Sequence, residues 1–370
     1  MGAPETITVR SSSASYPVVV SRGASRRVAE LLAAGGLRPS SVSVICDATV
    51  ESSVAREVDR HLSVAGIRVA RIAMPASEES KSLATLGDLC ERMLADGMDR
   101  SSAVVAVGGG VVGDVAGFAA ATYMRGLACI QVPTTLLAMV DASVGGKTAV
   151  NLVRGDGTLA KNIIGSFAQP ALVVCDPELL STLPARDLRS GLAECVKHAL
   201  IADPAMLAWI EANADPLHAA DPDTLGELVA RNVRIKARIV GQDEREAGQR
   251  ANLNLGHTFA HAIEARMHDA VTHGEAVAIG LVAACALGEA MGVTDPALRL
   301  RTVGVLERVG LPVRLPRSVP VGALLKAMAS DKKKRDGGLR FVVPHAAADV
   351  QVEFGVPQDL VERAWAAVGA

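Results

Sequence analysis

The stretch that decides the fold is Ala103–Ala121, AVVAVGGGVVGDVAGFAAA. An apolar run of strand length ends in Gly108, Gly109 and Gly110 and leads directly into an alanine-rich helical pattern. Positions without side chains let backbone N–H groups approach a phosphate, and the positive end of the following helix favours its charge. The spacing is not the GxGxxG fingerprint of a first βα turn. Two readings stay open on these residues alone, a pyrophosphate cradle and a tight strand-to-helix turn that needs glycine.

Outward from this segment, short β-rich runs recur at 41–47, 67–74, 102–109, 127–133 and 171–176. Helical spacing of apolar residues fills Ala24–Ala34, Val50–Ala65 and Ser82–Met98 between them. This alternation predicts an α/β nucleotide-binding domain, a parallel sheet covered by helices, over residues 1–180. Beyond Asp176-Pro177 the texture changes to long Ala/Leu-rich segments of helical period at 185–202, 222–245, 253–268, 274–292 and 296–309. A mainly α-helical second domain is expected over 181–370, with a small extended element at Val342, Val343 and 350–354 and a last helix at 358–368.

At 370 residues with 49% hydrophobic content, the chain has the material for two cores. Its 38 basic and 40 acidic residues nearly cancel, so no global field favours nucleic acid or an anionic membrane, and aromatic residues for base stacking are scarce. Six scattered cysteines without a CxxC pair read as reduced core residues. No targeting leader and no uninterrupted apolar run of about 18 residues is evident, so a cytoplasmic location and no membrane partner are expected.

A second polar cluster lies in Asn254–Val277, NLGHTFAHAIEARMHDAVTHGEAV. His257 and His261 are four residues apart and share a helix face, so spacing alone nominates them as a ligand pair, with His273 and Glu194 as further candidates. The intervening Thr-Phe-Ala lacks the glutamate of a zincin helix. Packing or capping histidines are the alternative. Lys147, Lys161, Lys197, Lys236, Arg125, Arg250 and the Lys332-Lys333-Lys334 run are more cations near polar motifs than a neutral substrate needs. They point to a small anion bearing phosphate, carboxylate or both.

Taken together, PASEESKS at 75–82, the glycine segment at 108–126, QVPTTLLAMVDASVGGKTAVN at 131–151, KNIIG at 161–165, LPARDLRSGLAECVKHALI at 183–201, NLGHTFAHAIE at 254–264, HGEAV at 273–277 and DKKKRDGGLR at 331–340 resemble the 3-dehydroquinate synthases among the sugar phosphate cyclases. The match runs in order through most of the chain. The resemblance implies NAD contacts from Asp47, Glu78, Lys81, Gly109, Gly110, Asp114, Thr134, Thr135, Asp141, Lys161, Asn162, Thr182 and Leu183. It implies Zn or Co held by Glu194, His257 and His273, which moves His261 from ligand to substrate contact. The catalytic set it implies is Asp141, Lys147, Asn162, Lys197 and His261. Arg125, Lys236, Arg250, Asn254 and Lys332 or Lys333 would bind substrate, Arg125 by reaching into the other subunit of a homodimer. The connection from Asn151 to Lys161 is longer than usual for the family.

The implied reaction turns an anionic sugar phosphate, 3-deoxy-D-arabino-heptulosonate 7-phosphate, into 3-dehydroquinate and phosphate in a site between the domains. It runs through transient oxidation at C5, phosphate elimination, re-reduction, ring opening and aldol closure. Another sugar phosphate cyclase, a metal-dependent polyol dehydrogenase and a noncatalytic nucleotide sensor are the competing readings.

Overall fold

The computed structural model describes residues 5–155, 157–246, 248–332 and 339–370. In chain order the elements are β1 (Glu5–Arg10), β2 (Ser15–Val20), α1 (Val28–Ala34), β3 (Ser41–Asp47), α2 (Arg56–Val64), β4 (Arg68–Met74), α3 (Leu83–Ala95), β5 (Ala103–Gly108), α4 (Gly110–Thr122), β6 (Ala128–Pro133), β7 (Lys147–Val153), β8 (Leu159–Phe167) and β9 (Leu172–Cys175). Helices α5 (Ala185–Ala202), α6 (Pro204–Ala212), α7 (Ala214–His218), α8 (Pro222–Gln242), α9 (His257–Met267), α10 (His273–Ala290), α11 (Pro296–Arg308) and α12 (Val321–Lys332) follow. The hairpin β10 (Arg340–Ala346) and β11 (Asp349–Phe354) and a last helix, α13 (Gln358–Ala367), complete the chain.

The first compact unit holds Met1–Leu183 together with Pro222–Arg245. Its sheet runs β1-β2-β9-β6-β5-β3-β4, parallel except for the β1–β2 pair at one edge. Period-two alternation splits each central strand between two cores. Val42, Val44 and Cys46 of β3 and Val105 and Val107 of β5 pack with Val28, Leu32, Val58 and Leu62 of α1 and α2. Ile45, Val104 and Ala106 pack with Leu89, Met93, Val112 and Val115 of α3 and α4. These strands are the β-rich runs expected from the sequence, within a residue or two at each end.

The sequence division at 180/181 put 222–245 in the helical half, and here the structure differs. Helix α8 groups with the first unit, burying Leu225, Leu228, Val229, Asn232, Val233, Lys236 and Val240 at three- and four-residue steps. Beyond its end, the Glu244 carboxylate accepts hydrogen bonds from Ser12 Oγ, Ser13 Oγ, Ser13 N (2.9 Å) and Gln169 Nε2 (2.8 Å). Periodicity shows which helix face is apolar. It carries no information about which core that face joins.

The second unit holds Pro184–Asp221 and Glu246–Ala370. Helix α10 is apolar all round and buries residues on every side, as a helix at the centre of a core does. By length and composition it would suffice to cross a membrane, but 78% of it is buried inside the unit. Close approach makes this arrangement possible. A Cβ at Gly274 would collide with the Ser190 carbonyl oxygen of α5, and in its place Gly274 N donates to Ser190 Oγ at 3.0 Å.

Two outcomes are expected. Burial pushes the Glu244 carboxyl up, but the Ser12, Ser13 and Gln169 hydrogen bonds outweigh it and hold it at about 2, against an ordinary 4.5. The stabilisation is therefore fully present above pH 4.5 and lost as pH falls toward 2. Glu244→Gln should cost about 1–3 kcal/mol in denaturant unfolding at pH 7, a difference that vanishes near pH 2; equal stability at pH 7 refutes the role given to this carboxylate. Gly274→Ala should cost about 1–3 kcal/mol or more through overpacking, whereas Gly304→Ala, open to solvent on α11, should cost nothing.

Candidate functional site

In the first unit the carboxyl ends of the parallel strands carry the expected cofactor residues. Asp47 ends β3 opposite Met74 of β4, and Gly108 ends β5 opposite Pro133 of β6. Chain order reverses between β3 and β5, since β4 lies on one side of β3 and β5 on the other. Such a switch point leaves a crevice outside the strand ends, where open α/β sheets bind ligands. Gly109 caps α4 there, and a Cβ on it would stand 3.2 Å from Thr135 Cγ2. A side chain there would crowd Thr135, so the turn packs tightly with glycine at this position. Thr134 N donates to Gly108 O at 2.9 Å, which ties the second strand end to the glycine turn.

Two ion pairs join residues distant in sequence. Lys81 pairs with Asp114, and Lys236, on α8, with Asp141. Both lysines are almost wholly buried. Burial raises the Asp114 carboxyl, and the Lys81 ammonium works against it. Glu78 is held by Asn151, whose Nδ2 donates to its carbonyl (3.0 Å) and to its Oε2 (2.9 Å). Asn162 N donates to Asn151 Oδ1 at 2.8 Å. Lys161 and Asn162 lie on an irregular stretch of β8, the strand that pairs antiparallel with β7. Lys147 opens β7 and is exposed, as is Arg125 in the turn after α4. Asp47 and Thr182 make local bonds, Asp47 accepting from Thr49 N and Thr182 Oγ1 donating to Leu179 O. Leu183 N donates to Leu180 O in the same turn.

In the second unit Glu194 of α5, His257 at the start of α9 and His273 at the start of α10 converge. Glu194 Oε1 lies 3.5 Å from His257 Nε2 and 3.4 Å from His273 Nε2, and all three donor atoms lie within 4.8 Å of one another. A cation with bonds of about 2.0–2.1 Å in a tetrahedral site separates its ligands by about 3.3–3.4 Å, so a carboxylate and two imidazoles at these distances fit one. A capping box between Thr272 and Glu275 fixes the first turn of α10 and hence the direction of His273. The outer nitrogens are also engaged. His257 Nδ1 faces Leu255 O at 3.2 Å, and His273 Nδ1 faces Glu264 Oε1 at 3.5 Å. Both Nε2 atoms face Glu194 Oε1, the arrangement a shared cation needs.

Burial, helped by the Lys197 charge, pushes His257 down to about 3. At His273 burial acts the same way, but the Glu194 and Glu264 carboxylates overcome it and lift the imidazole to about 10. Lys197, one turn from Glu194 and as deeply buried, forms an ion pair with it. His261 is exposed, its ring 5.7 Å from that of His257 and perpendicular to it. The four-residue spacing that nominated His257 and His261 as a ligand pair therefore brings their rings together, while the third donor beside His257 is His273, from another helix. Arg250 is buried, and Asn254 Nδ2 donates to Glu246 Oε1 at 2.6 Å. Lys332 is the last residue of α12, and Lys333 lies outside the described residues.

Three residues of these surroundings escaped the sequence reading. Glu264 stands seven residues, two helical turns, from His257, a spacing that could have nominated it. Asn151 and Glu246 have no such signal.

Comparison with known proteins gives the family. Residues 71–190 match the family model described as 3-dehydroquinate synthase N-terminal, and residues 191–334 the one described as 3-dehydroquinate synthase C-terminal. The chain is 43% identical over 364 residues to a 3-dehydroquinate synthase of Rhodopirellula baltica, with 96% of both chains covered. It is 43% identical over 353 residues to one of Caulobacter vibrioides, with 94% of both covered. Among solved structures, 2-deoxy-scyllo-inosose synthase complexed with carbaglucose-6-phosphate, NAD+ and Co2+ superposes with a TM-score of 0.88 at 25% identity, over 97% of this chain and 98% of that one. The 2-epi-5-epi-valiolone synthase of Streptomyces hygroscopicus subsp. jinggangensis, with NAD+ and Zn2+ bound, does so at 0.85 and 30% identity, over 96% and 97%. The chain belongs to the 3-dehydroquinate synthase family.

Proposed function

We propose that the chain catalyses the 3-dehydroquinate synthase reaction, converting 3-deoxy-D-arabino-heptulosonate 7-phosphate to 3-dehydroquinate and phosphate. The structural observation that carries this reading is the Glu194, His257 and His273 donor set, with Lys197 and His261 beside it, in a chain that also bears a glycine turn at a sheet switch point. Related cyclases have been solved with NAD+ and Co2+ or Zn2+. The same groups suit the residues here. When bound, NAD would supply reversible hydride transfer at C5 of the substrate and a divalent cation would polarise the oxygen on that carbon.

The chain's own part is to hold and orient. The N-terminus of α4 with Gly109 and Gly110 would receive the pyrophosphate, and Asp47 would accept from a ribose hydroxyl. Glu78, Lys81, Asp114, Thr134, Thr135, Asp141, Lys161, Asn162, Thr182 and Leu183 complete the dinucleotide set. Glu194, His257 and His273 would hold the cation. Lys147, Lys197, Lys236, Arg250 and Lys332 or Lys333 would neutralise the phosphate and carboxylate of the substrate, and Asn254 would hydrogen-bond to it. His261, exposed to solvent, takes the proton from the reacting hydroxyl and passes it to water. Oxidation of C5 acidifies the C6 proton, so phosphate leaves by β-elimination with the departing phosphate as base. The later aldol closure depends on the open chain being held in one conformation, which is a positioning effect.

A homodimer belongs to the same proposal. Leu152, Val153, Leu159, Ile163 and Phe167 leave an apolar surface exposed on the β7–β8 hairpin, and exposed Arg125 is the side chain that would enter the other subunit's site. A cytoplasmic location fits a biosynthetic enzyme of this kind. The likeness to 2-deoxy-scyllo-inosose and 2-epi-5-epi-valiolone synthases gives a second reading, a cyclase with the same early chemistry and a different product.

Purified protein supplied with the heptulosonate phosphate, NAD and Zn or Co should release one phosphate per carbocycle with no net NADH. Folded, metal-replete protein that releases no phosphate sinks the assignment, and a different carbocycle selects the second reading. Glu194→Gln should lose the cation, while His261→Ala should keep it and lose about 10²–10⁴ in turnover. Glu264→Gln should weaken cation affinity about 10–100-fold, measured by metal titration without substrate.

A further inference from the structure

The β7–β8 ladder breaks at Asn151. Val150 pairs with Ile164 and Leu152 with Ala160, so this single residue faces three on β8, namely Lys161, Asn162 and Ile163. A bulge of this kind bends a strand and re-aims its side chains. At its centre Asn162 has a φ of 55°, in the left-handed region that a residue with a Cβ seldom adopts. Something must hold it there.

Asn151 does so with one amide group. Its Oδ1 accepts the Asn162 N–H at 2.8 Å, and its Nδ2 donates to Glu78 O at 3.0 Å and Glu78 Oε2 at 2.9 Å. The partners fix the orientation of the amide, because a backbone N–H only donates and a carbonyl only accepts. The main chain of Asn151 adds a third tie, its N–H donating to Lys81 O at 2.8 Å. Lys81 in turn pairs with Asp114. The side chain is buried, with only 4% of the residue exposed, so solvent cannot replace these bonds cheaply. Neither Asp, which lacks the donor, nor Leu, which lacks both functions, can make the same set.

We infer that Asn151 is the positioning residue that locks the Lys161–Asn162 bulge and the Glu78–Lys81 loop into one dinucleotide-binding surface. This rests on the NAD reading of the first unit. Asn151 touches neither the reacting atoms nor the cofactor in this role and acts through Glu78, Lys81 and Asn162.

The test is NAD titration by calorimetry on the full chain without substrate, with thermal unfolding and amide hydrogen exchange on the same samples. Asn151→Leu and Asn151→Asp should each raise the Kd for NAD at least about tenfold, the loss of one hydrogen bond to a charged or buried partner. Exchange at the Asn162 amide should speed up at least about tenfold in Asn151→Leu and much less in Asn151→Asp, which keeps the acceptor. Val150→Ala, in the core beside it, should lower Tm and leave the Kd for NAD within twofold. Wild-type protein that binds NAD while both Asn151 variants bind it within twofold overturns the inference and leaves the cofactor reading intact. Folded wild-type protein that binds no NAD overturns both. A Val150→Ala loss of NAD affinity equal to that of Asn151→Leu reduces Asn151 to general stability and also overturns the inference.

Discussion

Charge taken out of water must be answered by charge, and this constraint organises both units. Lys81 with Asp114, Lys236 with Asp141 and Lys197 with Glu194 each pair a nearly or fully buried lysine with a carboxylate. Such pairs contribute little net stability, because desolvation offsets attraction. Removing one partner nevertheless strands a charge, at about 3–5 kcal/mol. The fold therefore keeps them for what they hold ready, cationic groups at fixed positions. All six residues belong to the sets that the family resemblance assigns to cofactor, substrate or cation.

The same constraint shows why part of the site was legible in the sequence and part was not. The strands at 41–47, 67–74, 102–109, 127–133 and 171–176 announce themselves because both faces of a covered parallel sheet are apolar. The glycine turn is visible because a close backbone approach admits no other residue. Charge pairs are different, since Lys81 and Asp114, or Asp141 and Lys236, are joined only by topology. Only the family motifs could bring them together on paper. His257 and His261 illustrate the limit from the other side. A four-residue spacing sees one helix, whereas the group whose donor atoms lie within 4.8 Å of one another draws on α5, α9 and α10 and joins His257 with Glu194 and His273.

Hairpin β7–β8 was the least legible element. Its sequences KTAVNLV and LAKNIIGSF lack clean alternation, and most of β8 is exposed, so no buried face imposes a period of two. Helix α8 was read correctly as a helix and assigned to the wrong unit for a related reason. Its apolar stripe is satisfied equally well by any apolar partner, and the bonds that settle the question, from Ser12, Ser13 and Gln169 to Glu244, lie more than seventy residues away along the chain.

Backbone strain links these observations. Asn162 and Glu246 both adopt positive φ, at 55° and 59°, a state that costs about 1–3 kcal/mol and persists only where surrounding bonds over-determine it. At Asn162 an asparagine amide supplies such a bond, from Asn151 to the backbone N–H, and the Glu246 side chain is likewise bound by the amide of Asn254. Asparagine suits this task because a single short side chain donates and accepts at once without adding charge to a crowded ionic site. A lysine or aspartate there would need its own counter-charge. A neutral amide can brace a strained turn between charged neighbours while leaving their pairing undisturbed.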